Sequence, residues 1–460
     1  MTTERGFTTD VSLTELAADS ARTYADDRSY VFHSWSAQDT LHPMVITEAR
    51  GSYVTDGDGN RLLDLSGQLV NINIGHQHPK VVAAVKEQVE FLSTVAPQHA
   101  NAARSEAARL IVERAPENMR KVFFTNGGAE AVEYAIRMAR QHTGRNKVLS
   151  AYRSYHGGTH TAIHATGDTR RWANDLGTSG VVHFFGPFQY RSPFHASTEA
   201  EECQRALEHL RSVIEFEGPR TIAAIILETI PGTAGIMPPP PGYLAGVREL
   251  CDEYGIIYIA DEVMCGFGRT GTWFAVDLYD VVPDLMTFAK GVNSGYVPLG
   301  GVIVSEKVLA SFATTPFPGG LTYSGHPLAC AAAVASMNAM AEEGIIDNAA
   351  RIGRDVLGPG LRELAERHPV IGDVRGVGVF WALDLVKDRA SKEPLAPYGG
   401  TSPAMAELVA ACKANGVLPF TNYHRLHVVP PCTVTDEEIG EGLAALDKAL
   451  SAIAGHYTGQ

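Results

Sequence analysis

Three polar side chains stand where short apolar runs end: Glu228 closes IAAIILE, Asp261 closes IIYIAD, and Lys290 follows MTFA. Runs rich in β-branched residues read as buried strands, and in an open parallel sheet ligands bind beyond the carboxyl ends of the strands. Two carboxylates and an amine are therefore expected to converge on one crevice. Lys290 is flanked by Phe288, Ala289 and Gly291. Such a setting disfavours the ammonium form and lowers the amine's pKa, as addition to a carbonyl requires. Alone, a lysine after a strand is more often one that snorkels to solvent; the neighbouring carboxylates favour the reactive reading.

A second element is KVFFTNGGAEAVEYAIRMAR over 121–140, a strand that ends at Asn126-Gly127-Gly128 and runs into an amphipathic helix. Glycines let backbone amides approach an anion, and the helix N-terminus adds its dipole, so this is a phosphate cradle in outline. The same turn also serves as a plain strand-to-helix connection. In AYRSYHGGTH, Tyr155 can stack on a planar ring, or pack as an ordinary loop tyrosine. His156, His160 and His164 have helical spacing, but Gly157 and Gly158 interrupt the helix and no acidic group completes a site, so no metal is expected. Gly266-Phe267-Gly268-Arg269-Thr270-Gly271 fits the dinucleotide fingerprint by letter. It is separated from its strand by Glu262–Cys265 and opens no helix, so dinucleotide binding is set aside.

The elements that must position these residues alternate. Apolar runs at 122–124, 181–185, 222–227, 256–261 and 301–305 read as strands, with helix-period segments over Ala129–His142, Thr198–Phe216 and Tyr243–Tyr254 between several of them. That is the pattern of a doubly wound, mainly parallel sheet. SYVTDGDGNRLLDL at 52–65 reads as a hairpin, and the C-terminal third mixes strand and helix, including segments near 402–414 and from Asp436. A large α/β domain over 66–335 is expected, with a smaller α+β domain built from 1–65 and 336–460. MPPPPG at 237–242 reads as a rigid turn into a helix.

A formal charge of −14 repels a phosphate backbone, so nucleic acid is excluded as a partner. Six scattered cysteines without a Cys-x-x-Cys pair support neither disulfides nor a zinc site. The first residues, MTTERGFTTDVSLTEL, lack the basic start and apolar run of an export signal, and no apolar stretch is long enough for a membrane. A cytoplasmic protein is expected.

Taken together, TNGGAEAVE, SYHGG, ILETI, ADEVMCGFGRTG, TFAKGVNSGYVPLGG and GGLTYSGHPLA resemble, in order and spacing, the class III aminotransferases. This is the ω-transaminase family, and the chain is most similar to its pyruvate-using branch, which takes taurine or β-alanine. The resemblance runs from about Phe32 to about Ala449, and Asp261 precedes Lys290 by 29 positions. It implies pyridoxal 5′-phosphate (PLP), fold type I with the large domain binding the cofactor, and a homodimer or a dimer of dimers. It also implies ping-pong transfer, through pyridoxamine phosphate, from a primary amine or ω-amino acid of the taurine, β-alanine or arylalkyl amine type to pyruvate. A 2-oxoglutarate-using aminotransferase, an aminomutase or a racemase are the alternatives within the class.

By position, the resemblance makes Lys290 the imine-forming residue and proton shuttle, and Asp261 the partner of the pyridine nitrogen. Tyr155 and Val263 lie on the two ring faces, Gly127, Gly128 and Ala129 at the phosphate, and His156 and Glu228 among the cofactor-binding residues. Thr322 reaches the phosphate from the partner subunit. Trp35, Leu69, Val70 and Tyr155 would line the substrate pocket. Three departures stand out: the phosphate turn has Gly127 and Ala129 where hydroxyls are frequent, Met264 replaces a glutamine of the ornithine-type members, and Arg425 and His427 compete as the substrate-carboxylate residue before Pro430-Pro431. Arg425 is taken as the candidate.

Overall fold

The computed structural model describes residues 12, 14, 15, 19–174 and 180–459. Most of the segment on which the absence of an export signal was argued, 1–16, lies outside them. Among the described residues no helix is long and apolar enough to cross a membrane.

Strands β1 (Ile46–Arg50), β2 (Tyr53–Asp56) and β3 (Arg61–Asp64) form an antiparallel meander. Asp56 closes the β2–β3 turn: its Oδ1 accepts the N–H groups of Asp58 and Asn60, while Gly59 takes φ +85°.

The central sheet comprises β4 (Met119–Thr125), β5 (Lys147–Ala151), β6 (Val181–Phe184), β7 (Ile222–Glu228), β8 (Ile257–Asp261), β9 (Leu285–Phe288) and β10 (Gly300–Ser305), in spatial order 4-10-9-8-7-5-6. Pairings from β6 through β9 are parallel, whereas β10 runs antiparallel to both β9 and β4. The sheet is thus mainly parallel with one reversed strand. Every residue of β7, β8, β9 and β10 is buried, which explains their continuous apolar runs: helices cover both faces. One covering helix, Gly128–Thr143, buries Val132, Ile136 and Ala139 on a single stripe and ends at Gly144 in a left-handed C-cap.

The C-terminal third supplies β11 (Ile371–Val377), β12 (Phe380–Asp388), β13 (Glu393–Pro394), β14 (Val417–Leu418), β15 (Phe420–Asn422) and β16 (Arg425–Val428). β11, β12, β16 and β15 form a further sheet, with β13 on β12. β14 instead pairs in parallel with β3, so the N-terminal meander gains its fourth strand from near the other end of the chain. Helices Pro403–Ala414 and Asp436–Ala452 pack together beside it; Thr435 and Glu438 close a capping box at the start of the second.

The glycine-rich run 266–271 is a chain crossing. Arg269 is wholly buried; its guanidinium donates to the carbonyls of Val379, Val429 and Pro430 and, at 2.7 Å, to Asn73 Oδ1. Asn73 in turn donates to Phe267 O at 2.8 Å. One cation therefore ties three distant stretches of chain, and Gly268 and Gly271, at φ +93° and +86°, let the loop wrap it. Replacing it strands several buried carbonyls. Arg269→Met is expected to destabilise the protein by about 3–5 kcal/mol, read as a lowered thermal midpoint; an unchanged midpoint would show that these carbonyls find other donors.

Candidate active site

The register of the central sheet places the chemistry. Glu228 on β7 is aligned with Asp261 on β8, and Asp261 with Thr287 on β9. Neighbouring strands lie about 4.8 Å apart, so three polar side chains stand in a row at the strand ends. Asp261 is 3% exposed, and such a buried acid needs donors. Its Oδ1 accepts Thr287 Oγ1 at 3.0 Å and Val263 N at 3.1 Å, and its Oδ2 meets His156 Nδ1 at 2.6 Å. Burial works against the charged form of His156, but the Asp261 carboxylate outweighs it and raises the imidazole's pKa. Glu228 accepts the N–H of Tyr155 on one oxygen and of Gly232 on the other, at 2.9 and 2.8 Å. Burial pushes its carboxyl up to about 6.

Lys290 opens a single 3-10 turn directly after β9, at φ +43°, a left-handed conformation that costs a non-glycine residue energy and is found where function demands it. Burial brings its amine down to about 8; Glu228 and Asp261 oppose that fall, and the charge of Arg170 adds to it. The amine faces a cavity of about 350 Å³, also lined by Asp261, Glu228, His156, Tyr155 and Val263.

Gly127, Gly128 and Ala129 line the same cavity. Gly127 caps the helix Gly128–Thr143 with no side-chain hydrogen bond, which leaves its first amides for an anion. The turn is held from outside, since Asn126 donates from both its backbone and its side chain to Glu130. Close approach explains the glycines: a Cβ at Gly128 would stand 2.7 Å from a Val263 methyl, and one at Gly157 2.5 Å from Ala129 Cβ. A cradle for an anionic group, a buried carboxylate and an amine of lowered pKa on one cavity fit a phosphorylated pyridine aldehyde.

The remaining candidates fall elsewhere. Trp35, 67% exposed, meets Tyr155 edge-on at 6.4 Å. Leu69 is 54% exposed and does not line the cavity. The adjoining backbone winds through positive φ at Gly67, Gln68 and Val70, which turns Val70 into a core cluster with Ile230, Phe380 and Val429. Thr322 lies exposed in the loop before the helix Pro327–Glu342, outside the cavity of its own chain. Arg425 is buried on β16, donates to Ala234 O and lines a different cavity. His427 is buried too, stacked on Phe420, and burial holds it down to about 3.

Sequence reasoning missed Arg170. Its guanidinium lies 3.6 Å from the centre of the Tyr155 ring and 6.0 Å from that of Trp35, and it chelates Asp168 through Nε and Nη2. In the run DTRRW nothing distinguishes it from its neighbour; the aromatic pair that selects it comes from two distant segments. Asn71, Asn293 and Leu299 were also missed as lining residues. Among the described residues no group of three or more histidine, cysteine or acidic side chains could hold a metal.

A transaminase fold and a site built around one lysine and one buried aspartate define the class. The chain belongs to the aminotransferase class-III family, whose model matches residues 35–450. Its architecture is fold type I, its cofactor is PLP and its reaction is transamination. Among solved structures it is similar to the taurine:2-oxoglutarate aminotransferase of Bifidobacterium kashiwanohense, in complex with PLP and glutamate, with TM-score 0.92 and 41% identity over 95% of this chain and 99% of that one. It is 33% identical to the taurine–pyruvate aminotransferase of Bilophila wadsworthia, over 95% of this chain and 98% of that protein. To the putrescine–pyruvate aminotransferase of Pseudomonas aeruginosa it is 34% identical, over 89% and 91%.

With the Lys290 amine lowered to about 8, its neutral, nucleophilic form predominates above that pH instead of only in the ordinary lysine range. The rate at which apoprotein captures PLP is therefore expected to rise with pH and level off just above about 8. A rate that still climbs steeply well beyond that point would show an unperturbed amine. Lys290→Ala is expected to abolish transamination without loss of thermal stability; near-normal turnover in this variant would remove Lys290 from the chemistry.

Proposed function

We propose that the chain transfers the amino group of an ω-amino donor with a short anionic tail, of the taurine or β-alanine type, to pyruvate. The observation that carries this reading is the guanidinium of Arg170, which lies 3.6 Å from the centre of the ring of Tyr155, a wall residue of the Lys290 cavity. A sulfonate or carboxylate tail meets a planar cation there. The names of the taurine–pyruvate relatives support the same donor and acceptor.

In this reading Lys290, Asp261, His156, Tyr155, Val263 and the turn 127–129 would hold the cofactor. Bound PLP supplies an electron sink that makes the proton on the substrate's amine-bearing carbon removable. Lys290 Nζ would take that proton and pass it to the cofactor within the same half-reaction, and would carry a proton in the opposite direction, to the carbon of the new amine, in the second, a role for which an amine of lowered pKa is suited. Asp261 would pair with the pyridine nitrogen, and His156, bonded to its other side, fixes the carboxylate's orientation. Glu228 holds the Tyr155 backbone and thereby the ring. Thr322 would complete the phosphate site of a second copy, which makes a homodimer the minimal active unit. Six free cysteines suit a cytoplasmic location.

A second reading, 2-oxoglutarate as acceptor, is favoured by the printed name of the 41% identical Bifidobacterium enzyme. Taurine, β-alanine and putrescine, each assayed with pyruvate and with 2-oxoglutarate, separate the two. Arg170→Leu is expected to raise KM for taurine roughly 10- to 100-fold, the worth of one charge-assisted hydrogen bond, and to leave KM for putrescine nearly unchanged. Equal effects on both donors would mean that Arg170 supports Tyr155 and reads no anion.

A further inference from the structure

Beyond the end of β7 the chain passes between the Lys290 cavity and the C-terminal sheet, and four consecutive carbonyls there are each met by a different side chain of that sheet. His427 Nε2 lies 3.3 Å from Gly232 O, Asn422 Nδ2 donates to Thr233 O at 2.7 Å, Arg425 donates to Ala234 O, and Arg375 Nε donates to Gly235 O at 2.7 Å. Strand alternation explains the set. Asn422 of β15 pairs with Arg425 of β16, and Ala382 of β12 pairs with both His427 of β16 and Arg375 of β11. Cross-strand partners and residues two apart share a face, so all four donors stand on one side of the sheet. None of them lines the Lys290 cavity.

The gripped segment is strained and has no room to move. Ile236 takes φ +49°, an outlier for a β-branched residue, and is buried in one apolar cluster with Phe380 and Ala382 of the same sheet. Such a conformation persists only where the surroundings over-determine it. Gly235 sits at φ +122°, and a Cβ there would stand 2.6 Å from both Arg375 Nη2 and Arg425 Cδ. A Cβ at Gly232 would run into Met264 Sδ, on the cavity wall, and stand 3.1 Å from Phe380 Cζ, on the sheet. At Gly232 a single thickness of backbone therefore separates sheet from cavity.

We propose that segment 232–235 is a relay through which the C-terminal sheet sets the position of Tyr155, with Asn422 and Arg375 as positioning residues of a site that neither of them touches. Every link is a direct hydrogen bond. The sheet holds the carbonyls of the segment; its first N–H, that of Gly232, donates to one oxygen of Glu228 at 2.8 Å; the other oxygen accepts Tyr155 N–H at 2.9 Å. A carboxylate suits this place because both of its oxygens accept. Removing a sheet donor leaves a buried carbonyl free to turn, and the Gly232 N–H turns with its chain. The consequence for the cofactor rests on the reading given above, that Tyr155 lies on its ring.

The test compares Asn422→Leu, which removes the donor at similar volume, with Asn422→Gln, which keeps an amide. Hydrogen–deuterium exchange of the apoprotein reads the Tyr155 amide with no cofactor or turnover involved, and visible circular dichroism of the holoenzyme reads the setting of the PLP ring. Asn422→Leu is expected to speed exchange in 231–237 and in 153–157, and to speed PLP release, roughly 3- to 10-fold. The dichroic band should change with it, and Asn422→Gln should restore most of the loss. In a Glu228→Gln background, where one accepting oxygen is gone, Asn422→Leu should add nothing further at Tyr155. Arg375→Lys keeps the charge paired with Asp373 but has no Nε–H for Gly235 O; it should reproduce the pattern and serves if Asn422→Leu folds poorly. Exchange that rises in 231–237 alone, with the Tyr155 amide and the dichroism as in the wild type, overturns the proposal. So does an Asn422→Leu effect at Tyr155 that is equal with and without Glu228→Gln. If exchange at Tyr155 follows Asn422 while the dichroism does not, the relay stands and it is the placing of Tyr155 on the cofactor ring that fails.

Discussion

A carboxylate enclosed at the end of β8 sets the terms for everything around it. Water reaches almost none of Asp261, so its oxygens must be met by donors that the fold delivers. The donors come from three places: β9 through Thr287, the chain just beyond β8 through Val263 N, and the 155–158 loop through His156. Each then fixes something else. Thr287 aligns β9, from whose end Lys290 projects; Val263 packs on Gly128 at the anion turn; His156 carries Tyr155 beside it, whose N–H is held in turn by Glu228. A single unsolvated charge thus makes the positions of the lysine, the glycine turn and the aromatic ring depend on one another.

Two buried arginines and one part-exposed arginine show three degrees of satisfaction of the same group. Arg269 is met by four acceptors and serves as a cross-tie. Arg425 has one carbonyl and an orphaned Nε, and Arg153 has none. A chain with a formal charge of −14 has carboxylates to spare, so cations left unpaired inside it are a property of particular places. Arg269 and Arg425 each leave a buried Nε without an acceptor, so what separates them is how many acceptors meet the rest of the group.

Much of this was legible in the sequence. β7 and β8 are buried on both faces and therefore read as unbroken apolar runs, and the polar residue that ends each run is the one that reaches the cavity. The helices over 128–143 and 243–254 follow from periodicity and from glycines at their C-caps. β5 was absent from the apolar runs because KVLSA is short and mixes a lysine and a serine into them, and β9 showed only as the MTFA run before Lys290. The reversal of β10 was equally hidden, since a buried antiparallel strand looks like a parallel one. Arg170, Arg425 and Val70 are matters of tertiary placement. Proximity to Pro430-Pro431 marked Arg425 as a cation near a site; on β16 it donates to Ala234 O and stands opposite Asp384 of β12, whose charge it feels without a direct bond. Arg153 lay within a motif singled out for its tyrosine, and its lack of partners could not be known before the fold.

The reversed strand has a consequence for how this cavity can change. A parallel successor to β9 would have required a crossover of a dozen or more residues, commonly a helix on the outside of the sheet. An antiparallel return needs only the stretch 289–299, and that stretch is itself cavity wall: Ala289, Asn293, Gly295, Val297, Pro298 and Leu299 line it along with Lys290. The nucleophile and one side of its chamber are therefore a single continuous tether between two rigid strands. An insertion or deletion there would shift the lysine and the wall together. Natural drift or laboratory redesign that widens the chamber is thereby channelled to the opposite side, towards the residues around Trp35, Tyr155 and Arg170, where the contacts are side-chain packing and can be altered one at a time.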